Sequence, residues 1–356
     1  MVGSGLILWA INEKRVLLPI ATLMVTFLVY AALRITITSD HNFSAQAFLL
    51  SPIFGLLPLS VIGATVSLLA QDLQVSLTRS RGLGLKNALG LLVFVIPIPL
   101  IVICFGYINN PPVTRTLAYQ LVSDNAVILF SLMLILMEVV WPAKKPTTLL
   151  ILFMLILTLC TGAISLIGST SIVAFWLATI VLLFWSYFLG ASWMARFLAV
   201  SVVALAVFYL INSLVFQLFV YQSNFRPLLD GTLEVSSVNS RLVMLTTFFD
   251  QFEVDPIFGN FMADQRIGLE QGSYVHSVIL SLLTHTGVIG FLMIFIMLVA
   301  VAYVRVGNCN SVEKRISSLA LIIGILGSLF AFFTWPPFWF FLGCLCVRPI
   351  KRLEYA

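Results

Sequence analysis

The sequence predicts an all-α, polytopic integral membrane bundle of about ten transmembrane helices with one large outer loop. Three observations carry that prediction: an extreme apolar composition, apolar runs of membrane-spanning length, and basic residues confined to the ends of those runs. The chain is 61% hydrophobic and 9% charged over 356 residues, with a mean hydropathy of +1.10. No soluble domain of that size covers so much apolar surface, so its solvent is lipid. The net charge of +5 does not mark a nucleic-acid binder, because the cations stand where the positive-inside rule puts them.

A helix needs about 20 apolar residues to cross a bilayer. Spans are predicted at about 16–33, 47–70, 88–107, 126–142, 147–166, 170–189, 197–219, 277–303, 317–335 and 337–347. The last, behind Pro336-Pro337, is short and either crosses at a thin point or dips in and returns. Threading the spans alternately puts 14 basic residues on one side and 5 (Arg34, Arg115, Arg226, Arg241 and Arg266) on the other. The first side is therefore expected to be cytoplasmic, with both termini on it. The whole of 1–356 reads as one membrane domain, and the loop 220–274 lies outside, on the periplasmic face in a Gram-negative cell. Residues 3–11 are apolar but short, and Glu13, Lys14 and Arg15 follow rather than precede them, so no cleavable signal peptide is expected. The five cysteines, Cys104, Cys160, Cys309, Cys344 and Cys346, fall in spans or inner loops. Their odd number and spacing suggest neither a disulfide framework nor a zinc site.

The loop 220–274 holds seven of the fourteen acids, Asp230, Glu234, Asp250, Glu253, Asp255, Asp264 and Glu270, and three arginines. Long loops are usually functional. Val238, Leu242, Leu245, Phe249 and Phe252 recur at helical spacing, which predicts an amphipathic helix over about 239–252. Ser236, Ser237 or Asn239 is placed to cap it, and Asp255-Pro256 stops it. Such a helix packs over the spans or lies in the headgroup layer. The acids lack the ligand count and Gly-turned loop of a calcium site and read as a solvated face.

Three histidines remain to be placed. His41 reads as solvated surface. His285 is about 13 Å deeper than His276 by helix rise and is expected to face other helices through a hydrogen bond. His276 stands where the polar loop meets a span, beside Ser277 and just after Tyr274. There an imidazole exchanges protons with the outside and titrates near neutral pH. By position alone it is also a good helix-capping residue. Arginine suits phosphate oxygens. Arg241 is seven positions from the nearest acid in sequence, which leaves a substrate phosphate as a rival partner. Arg266, beside Asp264, reads as an internal pair, and Arg34 and Arg115 are weaker candidates. Glu138, an acid inside a span, is expected to reach the interface or meet Lys144 or Lys145.

The pattern His276-Ser277, nine residues, Gly287, two residues, Gly290 resembles the motif of the bacterial O-antigen ligase and Wzy-type polymerase superfamily. Pro256-Ile257-Phe258-Gly259-Asn260 is similar to the Phe-Gly-Asn element that precedes it there, and Arg241 with Leu245 to the Arg-three-residues-Leu element. The stretch from Tyr274 through Gly287 resembles the polymerases more than the ligases. The resemblance covers about 236–300 by motif and the remainder by topology. Family members often carry Ser-Arg in an outer loop between two middle spans, where this chain has Gly168-Ser169-Thr170-Ser171.

The resemblance implies a GT-C-like, metal-independent and cofactor-free inverting glycosyltransferase of the bacterial inner membrane. Its donor would be an oligosaccharide on undecaprenyl pyrophosphate. His276 would be the base and Arg241 the cation on the leaving pyrophosphate. Arg226, Arg115, Arg266, Tyr274, Ser277 and Asn260 would contact substrate. A chain-length regulator and a flippase of the same pathway are the expected protein partners, and nucleic acid is not one. An O-antigen ligase, transferring polymer to lipid A-core, would share this site. A transporter of the same lipid is the reading from another class, and it should show repeats and matched broken helices, which the sequence lacks.

Overall fold

In the computed structural model the described residues are 16–38, 52–79, 83–96, 115–141, 248–262, 277–305 and 310–349, with isolated residues between 98 and 179. Every named element among them is a helix: α1 (Leu18–Thr38), α2 (Pro52–Arg79), α3 (Leu83–Val95), α4 (Arg115–Val140), α5 (Phe248–Glu253), α6 (Val278–Arg305), α7 (Ser311–Phe330) and α8 (Pro336–Leu345). Among the described residues four segments are long and apolar enough to cross a membrane: Leu18–Thr38, Gly55–Leu77, Ser123–Val140 and Val278–Arg305. The predicted spans at 147–166, 170–189 and 197–219 lie outside the described residues apart from isolated positions. By contacts the chain forms two compact units, one of 1–96, 128–150 and 241–356, the other of 97–127 and 151–240. In the second, Trp176 Nε1 donates to Thr158 Oγ1 at 3.1 Å.

Helix α4 begins at Arg115, about eleven residues before the predicted span at 126. The apolar window misses a helix that starts in polar residues such as Gln120, Ser123 and Asp124, because hydropathy reports lipid and not hydrogen bonding. Helix α7 likewise starts at Ser311, ahead of the predicted 317, on a capping box. The Asn310 side chain accepts from Glu313 N–H, and the Glu313 carboxylate accepts from Asn310 N–H.

Helix α8 answers the question of the short last span. Ten residues rise about 15 Å, half of a bilayer core. Every residue from Pro337 to Leu345 is buried, so neighbouring helices cover most of its surface. It crosses α2 with glycines on both sides of the contact. A Cβ on Gly63 would fall on the Phe340 carbonyl, and one on Gly343 on the Ser60 carbonyl. Small residues let membrane helices approach this closely, and polar groups at the crossing are used: Ser60 Oγ donates to Trp339 O at 3.2 Å and Cys344 Sγ to Gly63 O at 3.1 Å. Phe27 of α1 stacks on Trp339 with centroids 5.6 Å apart.

The long-range polar contacts gather at two levels. At one level Arg34, at the end of α1, meets Asp255. At the other, Gln74 bonds Ser311, Arg315 pairs with Glu138, Arg305 donates to the Cys344 and Val347 carbonyls, and Val16 bridges to Val347. The sequence threading puts Arg34 and Asp255 on the outer side and all of the second group on the inner. Glu138 meets Arg315, a partner that local sequence did not suggest, while Lys144 and Lys145 lie outside the described residues. Helix α7 brings a guanidinium 177 positions away in sequence within 3.2 Å of the carboxylate.

Candidate functional site: a loop clamped into a broken helix

Helix α6 is broken at Gly287, whose φ of 63° and ψ of −173° are not helical. A break at membrane depth releases backbone groups that must find partners inside the protein. The segment after α5 supplies them. Val288 N–H donates to Pro256 O at 2.9 Å and Ile289 N–H to Ile257 O at 3.2 Å, while Asn260 N–H donates to Thr284 O at 2.9 Å. The hydroxyl of Tyr30 on α1 lies 3.0 Å from Thr286 O and 2.7 Å from Phe258 O, joining the two strands of chain.

Two glycines make this approach possible. Gly259 and Gly287 both have positive φ. A Cβ on Gly259 would meet the backbone of Gly287 and His285, and a Cβ on Gly287 would meet the backbone of Ile257 and Gly259. The elements that carry the family resemblance, Phe258-Gly259-Asn260 and Gly287-Val288-Ile289-Gly290, are thus two halves of one backbone clamp. Gly290, the last residue of the second element, lies one turn below Thr286 and outside the clamp: a Cβ there would press on the Thr286 side chain of its own helix and on Phe27 of α1.

Arg34 locks the clamp. Its Nη2 lies 2.6 Å from Asp255 Oδ2, and Nε and Nη2 both donate to Gly259 O. Its guanidinium sits 5.6 Å from the centroid of the Phe258 ring, a cation–π distance. Asp255 Oδ1 accepts from Phe258 N–H at 3.1 Å, so one carboxylate both turns the chain and holds the arginine. The reading of Asp255 as part of a solvated face is corrected by this pair, and Arg34 is the residue that sequence ranking undervalued. The only sequence signal was a cation on the outer side, against the positive-inside trend. Its partner is 221 positions away. Replacing Arg34 by Ala is expected to cost about 1–3 kcal/mol, the penalty for leaving an acceptor and a carboxylate without their donor. Arg34→Lys should recover only part of it, since one ammonium does not reproduce a fork. Thermal unfolding of the purified variants in detergent measures both. Equal stability of the Arg34→Lys variant and wild type would reduce the contact to simple charge.

The predicted loop helix is seen at its C-terminal end. Helix α5 covers Phe248–Glu253 and stops ahead of Asp255-Pro256 as expected, while 239–247 and the candidate caps lie outside the described residues. His285 is buried at the level of the break. Its Nδ1 lies 2.7 Å from Thr284 Oγ1 and 2.9 Å from Ser281 O, and its ring packs on Phe261 and Phe332. It faces inward as expected, but these two hydrogen bonds lie within α6, and it meets other segments through the rings of Phe261 and Phe332.

Of the predicted site residues, His276, Arg241, Arg226, Arg266 and Tyr274 lie outside the described residues, and Arg115 is described only as the first residue of α4. Ser277 and Asn260 are described, and both are engaged by the protein itself. The Ser277 hydroxyl accepts from Leu280 N–H at 3.3 Å, which caps α6. Asn260 is buried, and its Oδ1 accepts from Met262 N–H at 2.8 Å. Among the described residues no three His, Cys, Asp or Glu side chains are grouped to hold a metal ion. The arrangement fixes the chain that follows α5 against the break in α6, and Ser277 caps the start of α6.

The fold and site of the described residues together define a helical membrane protein with membrane-length apolar helices, one of them broken and packed against the segment that follows α5. No family model, curated protein or solved structure matches the chain.

Proposed function

We propose that this protein is an O-antigen polymerase: an inverting glycosyltransferase that joins undecaprenyl-pyrophosphate-linked repeat units at the periplasmic face of the inner membrane. The observation that carries the reading is the clamp. Two motif elements about thirty residues apart in sequence, each noted for its resemblance to the same superfamily, interlock through Gly259 and Gly287. Elements that match a family for unrelated reasons have no cause to meet. The side-by-side placement of Arg34 and Asp255 further supports a shared outer face for α1 and the loop.

The chemistry follows from residue types. The acceptor hydroxyl loses its proton as it attacks the anomeric carbon, and His276 takes that proton. The bond from the anomeric carbon to the pyrophosphate oxygen breaks with inversion. The leaving pyrophosphate is a stable anion that needs no general acid, and Arg241, with Arg226 or Arg115, stabilises its charge. Ser277 contributes by capping α6 and so holding the backbone next to His276. The plugged break in α6 weighs against a transporter, because the freed backbone groups are spent on the loop rather than on a substrate cavity.

The test is a lipopolysaccharide ladder from a strain lacking this gene, complemented with wild type or His276→Ala. The polymerase reading predicts core bearing a single repeat unit in the deletion, ladders restored by wild type, and none from His276→Ala at equal membrane abundance. Core without any repeat, with polymer accumulating on the lipid carrier, would make the protein a ligase. A normal ladder in the deletion would end both readings.

A further inference from the structure

A groove of about 730 Å³ runs between α6 and α7, with α8 as its floor. Its lining is almost entirely carbon: Phe291, Phe295 and Leu298 from α6, Leu321 and Ile325 from α7, and Phe341 below. That volume is in the range of ligand sites, too large for a packed interior to leave empty and too apolar to hold ordered water. Its mouth is open, since Phe295, Leu321 and Ile325 are 51%, 66% and 52% exposed. Gly324 lines it, and a Cβ there would meet nothing within 4 Å. Helix α8 contributes the floor through Phe338, Phe341, Leu342 and Leu345.

One end of the groove is basic. Arg305 lines it and donates to Ser317 Oγ at 3.1 Å, so its charge is held at that end. Lys314 is exposed and stands three residues before Ser317 and seven before Leu321, on the same helix face. The opposite end, at Val278, Ile279 and Leu282, carries no charge. An occupant that fits has a hydrocarbon chain for the length of the groove and an anionic head at the Arg305 and Lys314 end.

We infer that the groove holds one acyl chain of an anionic phospholipid, with its phosphate at the Arg305–Lys314 end. The inference does not depend on the glycosyltransferase reading. A polyprenyl pyrophosphate reacting at the outer face would place its charge at the other end, where the groove offers none. A second copy of the chain is the remaining occupant, because Ala320, Gly324 and Ser328 would also suit a packed helix.

The experiment uses the full chain in nanodiscs doped with phosphatidylglycerol, or with phosphatidylcholine, bearing a photoreactive diazirine in one acyl chain. Labelled peptides are then mapped by mass spectrometry. The expected result is several-fold stronger phosphatidylglycerol labelling of 291–305 and 317–329 than of the exposed α1 face around Val25 and Val29. Gly324→Trp fills the groove and should cut that labelling several-fold. Gly84→Trp, equally open on α3, should leave it unchanged, and Lys314→Glu should remove the preference over phosphatidylcholine. If Gly324→Trp does not remain monodisperse, Gly324→Leu and the wild-type contrast with α1 still decide. Labelling no stronger than on α1, labelling unmoved by filling Gly324, displacement by equimolar polyprenyl phosphate, or cross-links to a second copy would each overturn the inference.

Discussion

Gly287→Ala is expected to be among the most damaging single-methyl changes in this protein. The added Cβ would press into the Ile257 carbonyl and the backbone of Gly259, and it would do so at a φ of 63°. The left-handed conformation alone costs an L-residue about 1–2 kcal/mol, and forcing the loop outward adds roughly 1–3 kcal/mol of overpacking. The loop cannot move without stranding Val288 N–H and Thr284 O, whose partners it provides. Gly259→Ala should behave in the same way, because its Cβ would meet Gly287 from the opposite side. Gly55→Ala is the control: a Cβ there meets nothing within 4 Å, and alanine is the better helix former. Thermal unfolding of the three variants in detergent gives the comparison. Wild-type stability for Gly287→Ala would mean that the loop is not held against the break.

The second large effect is expected at Glu138. Its carboxylate lies 3.3 Å from Arg315 Nε and 3.2 Å from Nη2, and the two side chains are 6% and 9% exposed. Removing one member of a buried pair leaves an uncompensated charge, which costs about 3–5 kcal/mol. Glu138→Ala should therefore be severe, and Glu138→Gln milder because it keeps an acceptor. Joint replacement, Glu138→Met with Arg315→Leu, should recover most of the loss, since a well-packed apolar pair is often as stable as the ions it replaces. A double variant as unstable as Glu138→Ala would show that the pair is needed for more than charge balance.

How much of this was legible in the sequence depends on the distance over which the signal acts. Hydropathy located both ends of α6 to within two residues and the start of α1 equally well, because a helix in lipid advertises itself along its own length, but α1 and α2 run on five and nine residues past their predicted ends. The stop at Asp255-Pro256 was equally local, and α5 ends just ahead of it. Helix starts in polar sequence, at Arg115 and Ser311, were not visible to an apolar window. The glycines at 259, 287 and 290 stood out as a pattern, but the reason for them did not. Gly259 and Gly287 are each required by a surface supplied from elsewhere in the chain. The pairings of Arg34 with Asp255 and Glu138 with Arg315 join residues 221 and 177 positions apart, and nothing in local sequence selects one cation among several for a given acid. Likewise, Ser277 and Asn260 read as substrate contacts from their motif, whereas their side chains cap α6 and the turn at Met262. A motif marks where a fold is constrained, and part of that constraint is architectural rather than chemical.

This division of labour sharpens the proposed mechanism. In that mechanism the clamp, Arg34 and Ser277 hold the segment after α5 and the start of α6, while His276 and Arg241 are the residues proposed to carry the reaction. Variants of the first group should lower stability and activity together. His276→Ala should abolish activity in a protein that folds normally. The central claim is that this chain forms a glycosidic bond between lipid-linked units. It is tested most directly by incubating the purified protein in proteoliposomes with an undecaprenyl-pyrophosphate-linked repeat unit and reading the products by mass spectrometry. The account predicts lipid-linked dimers and longer multiples, released undecaprenyl pyrophosphate in equal number to the bonds formed, no loss of product in the presence of a chelator, and no product from His276→Ala. Translocation of the intact donor across the bilayer, with no new bond formed, would contradict it.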